Sequence, residues 1–289
     1  MKRLIVTADD FGMSLEVNEA VEQAHREGIL TCASLVVAGA AAEDAINRAK
    51  RMPDLGIGLH LAMFGSPAAA PTAHPNPLAP DGLSLGQTPV TTGIAIMLSP
   101  AAREAARREI AAQFEAYRRS GLPLGHLDGH WHCHEHPAVL AMAIGSGREL
   151  GLKGLRVPYE PFGFSWAVCG TLPGRPGRAP RLAHALGHWP LAWEMRRQAG
   201  AAGLATNDRF FGKNDAGFID EALLLRLVET LPGGVTELGL HPATRTWSGD
   251  HAPPPGWRQG AELAALISPR IREAVAANQV VLSRWQDLP

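Results

Sequence analysis

Short apolar runs alternate with amphipathic helical runs along the whole chain, and that alternation limits the folds open to it more than any single motif does. RLIVTA (3–8) is the continuously apolar, β-branched type of run that suits a strand buried on both faces. LEVNEAVEQAHREG (15–28) follows as a helix, with Ser14 placed to cap its start and Gly28 its end. LTCASLVV (30–37) then leads to AAEDAINRAKR (41–51), LGIGLHLA (55–62) to a long charged helix over 101–120, and LPLGHLD (122–128) to a helix over 137–150. GLRVP (154–158), a strand near 204–210, a helix near 219–231, GVTELGL (234–240), a last helix near 261–277 and VVLSRW complete the series. Seven or eight such units in 289 residues predict an α/β chain folded as one parallel (β/α) barrel over 1–289. The alternative is an open doubly wound sheet. With 46% apolar residues the chain can fill either core.

Two stretches break the rhythm. Residues 62–100 hold seven prolines and no Lys, Arg or Glu, and residues 159–203 are rich in Pro, Gly and Trp. Both are too long for plain connectors, so they are expected to be inserted functional loops at the barrel rim.

In a parallel barrel the chemistry gathers where the strands end. The first strand ends in Asp9 and Asp10 (TADDFG), the third in His60 (GLHL), the fourth at Asp128 and His130, and a late one in His241 (ELGLHP). Taken singly, an aspartate could cap the following helix, His60 could be a core histidine, and His241 could simply end a strand. Four strands delivering acids and imidazoles to one rim favour a metal site instead. Two imidazoles and a carboxylate leave room for water and a substrate oxygen, the arrangement of a hydrolytic centre. Zinc suits that donor set best, with magnesium or manganese as alternatives.

The tract HLDGHWHCHEHP (126–137) cannot all serve one ion. Its histidines and Asp128 fall on even positions, so an extended chain would point them to one face, yet its ends would lie on the order of 30 Å apart. One or two of them are expected as ligands. Cys133 has the opposite parity and is not among them.

A net charge of −1 gives no global footprint for nucleic acid, which is not an expected partner. The apolar run after Met1 is too short for a signal-peptide core, and Cys32, Cys133 and Cys169 form no disulfide framework. A cytoplasmic location is therefore expected.

TADDFG, GLHL, HLDGHWHCH and ELGLHP, in this order, resemble the YdjC-like carbohydrate deacetylases over nearly the whole chain. The resemblance implies a distorted (β/α) barrel that removes acetyl groups from N-acetylated amino sugars. It implies Asp10, His60 and His130 as ligands of one divalent metal, Asp9 as general base and His241 as general acid. Asp128, His126, His132 and Glu237 are then expected around them, orienting ligands or binding substrate. Many members read D-S-H-H-H-x-H where this chain has Gly129 and Trp131, a departure that bears on the sugar pocket. TNDRFFG (206–212) and the opening KRLIVTADDFG with VNEAVEQAHREGIL are similar to the hopanoid-biosynthesis-associated branch. That closer match implies an N-acetylglucosamine headgroup on a hopanoid lipid, with chito-oligosaccharides as the alternative substrate.

Two other classes stand beside this one. A metal phosphoesterase would want Arg or Lys near its phosphate, and none lies inside the four motifs. A non-catalytic sugar- or lipid-binding protein would need neither Asp9 nor His241. Between Pro161 and Gly203, Glu194 is the only acid against Arg175, Arg178, Arg181, Arg196 and Arg197, with Trp166, Trp189 and Trp193 among them. That composition suits peripheral contact with an anionic membrane, or a lid helix whose tryptophans pack on the barrel.

Overall fold

The computed structural model describes residues 1–70, 77–81, 83–86, 88–170, 172–247 and 252–288. Along the chain come β1 (Lys2–Phe11), α1 (Leu15–Glu27), β2 (Cys32–Leu35), α2 (Ala42–Ala49), β3 (Gly56–Leu61) and a small hairpin of β4 (Ser66–Pro67) and β5 (Ser84–Leu85). Then follow α3 (Pro89–Leu98), α4 (Pro100–Ser120), β6 (His126–Gly129), α5 (Pro137–Glu149), β7 (Gly154–Leu155), α6 (Phe162–Cys169) and α7 (Arg178–Ala202). The last elements are β8 (Ala205–Thr206), β9 (Arg209–Phe211), α8 (Glu221–Thr230), β10 (Gly234–Leu240), α9 (Gln259–Ile267), α10 (Pro269–Ala277) and β11 (Val280–Leu282).

The main sheet is parallel throughout and runs β8-β7-β6-β3-β2-β1-β10-β9, with β11 added beside the first half of β1. The path ends at β8 and β9, which are consecutive in the chain but unpaired among the described residues. The expected distorted α/β barrel is therefore present, and it is open at that seam. Ser14 caps α1, its hydroxyl accepting from the Val17 amide, so neither aspartate of TADDFG is needed as a cap.

Alternation divides β1 cleanly. Leu4, Val6 and Ala8 join the large core under the helices, while Ile5 packs with Cys32 and Trp285 on the opposite, inner face. On that face Thr7 and Asp9 stand above Ile5, so the interior grades from an apolar plug at the strand starts to acids and imidazoles at the strand ends.

Several boundaries differ from the sequence expectation. The segments 62–100 and 159–203 are not plain loops: the first carries the hairpin and α3, the second α6 and α7. Their residues 71–76, 82, 87 and 171 lie outside the described set. The last helix is two, α9 and α10, broken at Ser268 and Pro269, because a proline cannot donate the amide bond that would continue the first. The strand near 204–210 is likewise two, β8 and β9.

The even-numbered face of the histidine tract ends early. β6 stops at Gly129 and the chain turns into a short 3-10 segment, His130–Glu135, in which Trp131 and His132 both have left-handed backbones. Beyond His130, side-chain direction no longer follows parity.

Candidate active site

His60 and Asp128 are directly opposed residues on the neighbouring strands β3 and β6, and register puts their side chains in contact. Nδ1 of His60 donates to Oδ1 of Asp128 at 2.8 Å, which leaves Nε2 aimed at Asp10, 3.4 Å from its Oδ1. Asp9 and Asp10 are consecutive and would normally face opposite sides of β1. Asp10, however, has φ 63, and the pairing of β1 with β2 shifts register between Ala8 and Phe11, so this turn brings the second carboxylate to the rim as well. Oδ1 of Asp10 also lies 2.9 Å from Nδ1 of His130.

Asp10, His60 and His130 thus offer one donor atom each, all within 4.8 Å of one another. Burial alone would raise the Asp10 carboxyl, but the His130 and His60 imidazoles outweigh it and hold the group well below the carboxylate range. Burial would likewise lower His60, yet Asp128 outweighs it and raises the imidazole to about 9. An anionic carboxylate and a histidine whose tautomer a second carboxylate fixes are what a divalent cation needs. The donor set therefore fits a metal.

Asp9, His60 and Asp128 form a second close group. A cation already lies against it. The Arg156 guanidinium is fully buried just past β7, bonded to Asp9 through Nη1 at 2.7 Å and Nη2 at 2.8 Å, and to Asp128 through Nη2 at 2.9 Å. Its Nε reaches Oε1 of Glu237 at 3.0 Å, and Thr7 donates to that same oxygen. Burial pushes the Glu237 carboxyl up to about 7 against the pull of Arg156.

His126 is brought near but is engaged elsewhere. Ser34, Gly58 and His126 are level on the adjacent strands β2, β3 and β6. Gly58 leaves open the space that its own Cβ would fill, so the His126 ring lies across it and Nε2 reaches the Ser34 hydroxyl at 3.0 Å. Ser34 in turn donates to Oδ2 of Asp128 at 2.5 Å. Beneath, the ring stacks on Trp285. His134 bonds the Arg156 carbonyl through Nε2 at 3.1 Å, and His132 meets the edge of Phe210 on the cavity wall. Of the six even-numbered tract residues, then, His130 meets Asp10, Asp128 supports His60, and His126 and His134 brace the layer behind.

His241 follows β10, its backbone amide bonded to Glu262 at 2.6 Å, its ring against Trp257, and its Nε2 4.0 Å from Oδ2 of Asp9. Burial lowers the imidazole, opposed by the carboxylates of Asp10 and Asp9. Asp9, Asp10, His130 and His241 open into a cavity of about 680 Å³ walled by aromatic side chains, a size and character suited to a small ligand.

Arg156, Ser34 and Lys213 are the polar groups that motif spacing did not single out. Arg156 was findable: it is a lone charge at the end of an apolar strand. Lys213 lines the cavity, but its ammonium is held by both oxygens of Glu135 at 2.7 Å and by His188. Both cations near the site are thus already paired, so neither is presented to a phosphate.

A profile of the YdjC-like protein family matches residues 3–277. The chain belongs to the YdjC-like family. A carbohydrate deacetylase of Mus musculus is 30% identical over 99% of this chain and 94% of its own length. One from Brevibacillus brevis is 37% identical over 54% of this chain, a match that spans 60% of that relative's length. A crystal structure of an Enterococcus faecalis V583 protein, named for cellobiose-phosphate cleavage, superposes with a TM-score of 0.70 at 20% identity, covering 99% of this chain and 98% of that one. This YdjC-like fold is thus shared well beyond close sequence similarity.

The arginines of the second inserted segment each meet an acid or an aromatic ring. Arg181 is buried against Asp215 and Glu160, Arg175 pairs with Asp220 and Arg197 with Glu194. Arg178 and Arg196 lie over the rings of Trp166 and Tyr159. α7 exposes Leu182, Leu186, Trp189 and Trp193 at helical spacing, and α3 exposes Val90, Ile94, Met97 and Leu98. No helix among the described residues is long and apolar enough to cross a membrane.

Proposed function

We propose that this protein is a metal-dependent carbohydrate deacetylase that hydrolyses the N-acetyl group of an amino sugar. The convergence of Asp10, His60 and His130 beside Asp9 and His241, all but His60 lining one aromatic-walled cavity, carries the reading. The carbohydrate deacetylases among its relatives support it.

Asp10, His60 and His130 would hold one divalent ion, zinc by donor type. When bound, such an ion supplies acidity to a water and polarises the acetyl carbonyl. Asp9, kept in place by the bidentate Arg156 pair, takes the water's proton during attack. His241 approaches from another strand and protonates the amide nitrogen as the C–N bond breaks, since that nitrogen leaves poorly as an anion. Burial favours proton release from its imidazolium. Asp128, through His60, fixes the ligand ring.

The finer reading is an N-acetylglucosamine headgroup carried on an apolar aglycone such as a hopanoid. Two apolar stripes support it. α3 contributes Pro89 and α7 contributes His184 to the cavity wall, and the same two helices carry the exposed apolar stripes. The same faces suit peripheral contact with a bilayer. Release of free amine from N-acetylglucosamine conjugates, measured with and without chelator, tests the activity. Chelator-independent release, or none with any divalent metal, sinks it. Comparison of a lipid-linked conjugate with a chito-oligosaccharide then tests the aglycone.

A further inference from the structure

Trp131 is the most conspicuous side chain at the cavity that the proposed chemistry does not use. Its indole is 59% exposed, lines the cavity wall, and lies edge-on to the His130 ring at 6.4 Å between centroids. Its backbone is left-handed, φ 48 and ψ 29, and His132 repeats that conformation at φ 57 and ψ 33. Two successive residues with side chains in this region are strained, and glycine would relieve the strain at either.

The surroundings hold the turn from both sides. His130 is tied to Asp10, the Cys133 thiol donates to the Leu61 carbonyl at 3.1 Å, and His134 is tied to the Arg156 carbonyl. The reversal between these anchors turns His130 and His134 inward and leaves the indole projecting at the mouth. A large apolar ring on a strained backbone, more than half exposed, adds little to the core. Its placement makes sense for a ligand. A sugar held by its acetamido group near His130 has its pyranose ring within reach of a side chain one residue on, and the C–H face of that ring packs well on an indole.

We propose that Trp131 is the stacking platform for the acetylated sugar ring and so a specificity-determining residue. This rests on the deacetylase reading above. The test compares the zinc-loaded wild type, Trp131→Gly and Trp131→Phe with di-N-acetylchitobiose as probe, by amine release, calorimetric binding and thermal melting. In Trp131→Gly, kcat/KM is expected to fall about tenfold, mainly through KM, with binding weakened in parallel. Its melting temperature should hold or rise, because glycine accepts the left-handed backbone. Trp131→Phe keeps most of the affinity. A merely structural tryptophan would instead lower the melting temperature, and unchanged KM and affinity in Trp131→Gly would overturn the platform. If the wild type binds the disaccharide but releases amine neither from it nor from a lipid-linked N-acetylglucosamine conjugate, the deacetylase reading fails while the binding comparison still decides the platform. If the wild type does not bind it, the platform fails too.

Discussion

Nδ1 of His60 donates to Oδ1 of Asp128 across 2.8 Å, and this bond decides which ring nitrogen faces Asp10. It also keeps a proton on His60, whose imidazole is raised to about 9, so that without metal a protonated Nε2 stands 3.4 Å from Oδ1 of Asp10. A cation entering there displaces that proton.

The first prediction follows from that competition. Near neutral pH, zinc binding to the metal-free protein should release a proton from His60, and affinity should tighten as pH rises toward 9. Asp128→Asn removes the group that both raises His60 and orients it. Zinc binding should then weaken about 10- to 100-fold while releasing fewer protons. Calorimetry in buffers of different ionisation enthalpy reads both effects, and unchanged affinity and proton release would show that Asp128 does not act through His60.

Proton transfer should separate from coordination. Asp9→Asn and His241→Ala are expected to retain one equivalent of zinc and lose about 10² to 10⁴ in kcat. His130→Ala should lose metal and activity together. Metal analysis beside turnover distinguishes the classes, and zinc loss in Asp9→Asn would move that residue into the coordination sphere.

The barrel and the converging residues were legible because strand-end position is a property of alternation: each of Asp9, His60, Asp128 and His241 closes an apolar run. Asp10 was placed with them although strand parity would have sent it outward. Its left-handed turn is a local event that no periodicity signals. The same limit applies to the histidine tract, whose even spacing stops mattering at Trp131. Arg156 went unmarked because GLRVP reads only as a weak strand, and its value lies in three carboxylates drawn from three other strands. The α3 and α7 helices were hidden by their Pro, Gly and Trp content, which resembles loop composition until the chain packs. The arginines of 159–203 read as a cationic face because Asp215 and Asp220, which meet Arg181 and Arg175, lie beyond the segment, and because the stacking of Arg178 and Arg196 on aromatic rings leaves no mark in composition.

Arg156 also supports a stability prediction. Arg156→Met leaves Asp9, Asp128 and Glu237 as a buried acidic cluster, at a cost of about 3–5 kcal/mol near neutral pH. Without the guanidinium, Glu237, which burial already raises to about 7, loses the pull that holds it down and titrates higher still. A group shifted upward stabilises below its unfolded value, and that stability is lost as pH rises through the folded one. Denaturant melts should therefore show a smaller gap to the wild type at about pH 5.5 than at about pH 8. A gap that widens on acidification would contradict this account of the cluster.

His126 gives the opposite slope. Burial pushes its imidazole down to about 4, so it is neutral in the folded protein, with Nε2 bonded to the Ser34 hydroxyl. Once unfolded, the same ring takes up a proton near its ordinary value of about 6.5. Between those two values the unfolded chain binds more protons, and stability falls with acidification by up to about 1.4 kcal/mol per pH unit from this residue alone. Other buried groups titrate in the same window, Glu237 and Glu262 with the reverse sign, so the absolute profile cannot isolate it. The difference between wild type and His126→Gln can. The amide still donates to Ser34 but does not titrate, so the variant should be less stable near neutral pH, from imperfect packing on Trp285 and Gly58, and should lose less of its stability between about pH 6.5 and 4.5. Thermal melts across that range should show the two curves converging on acidification. Parallel curves would mean that His126 takes up its proton while folded, which burial of the ring opposes.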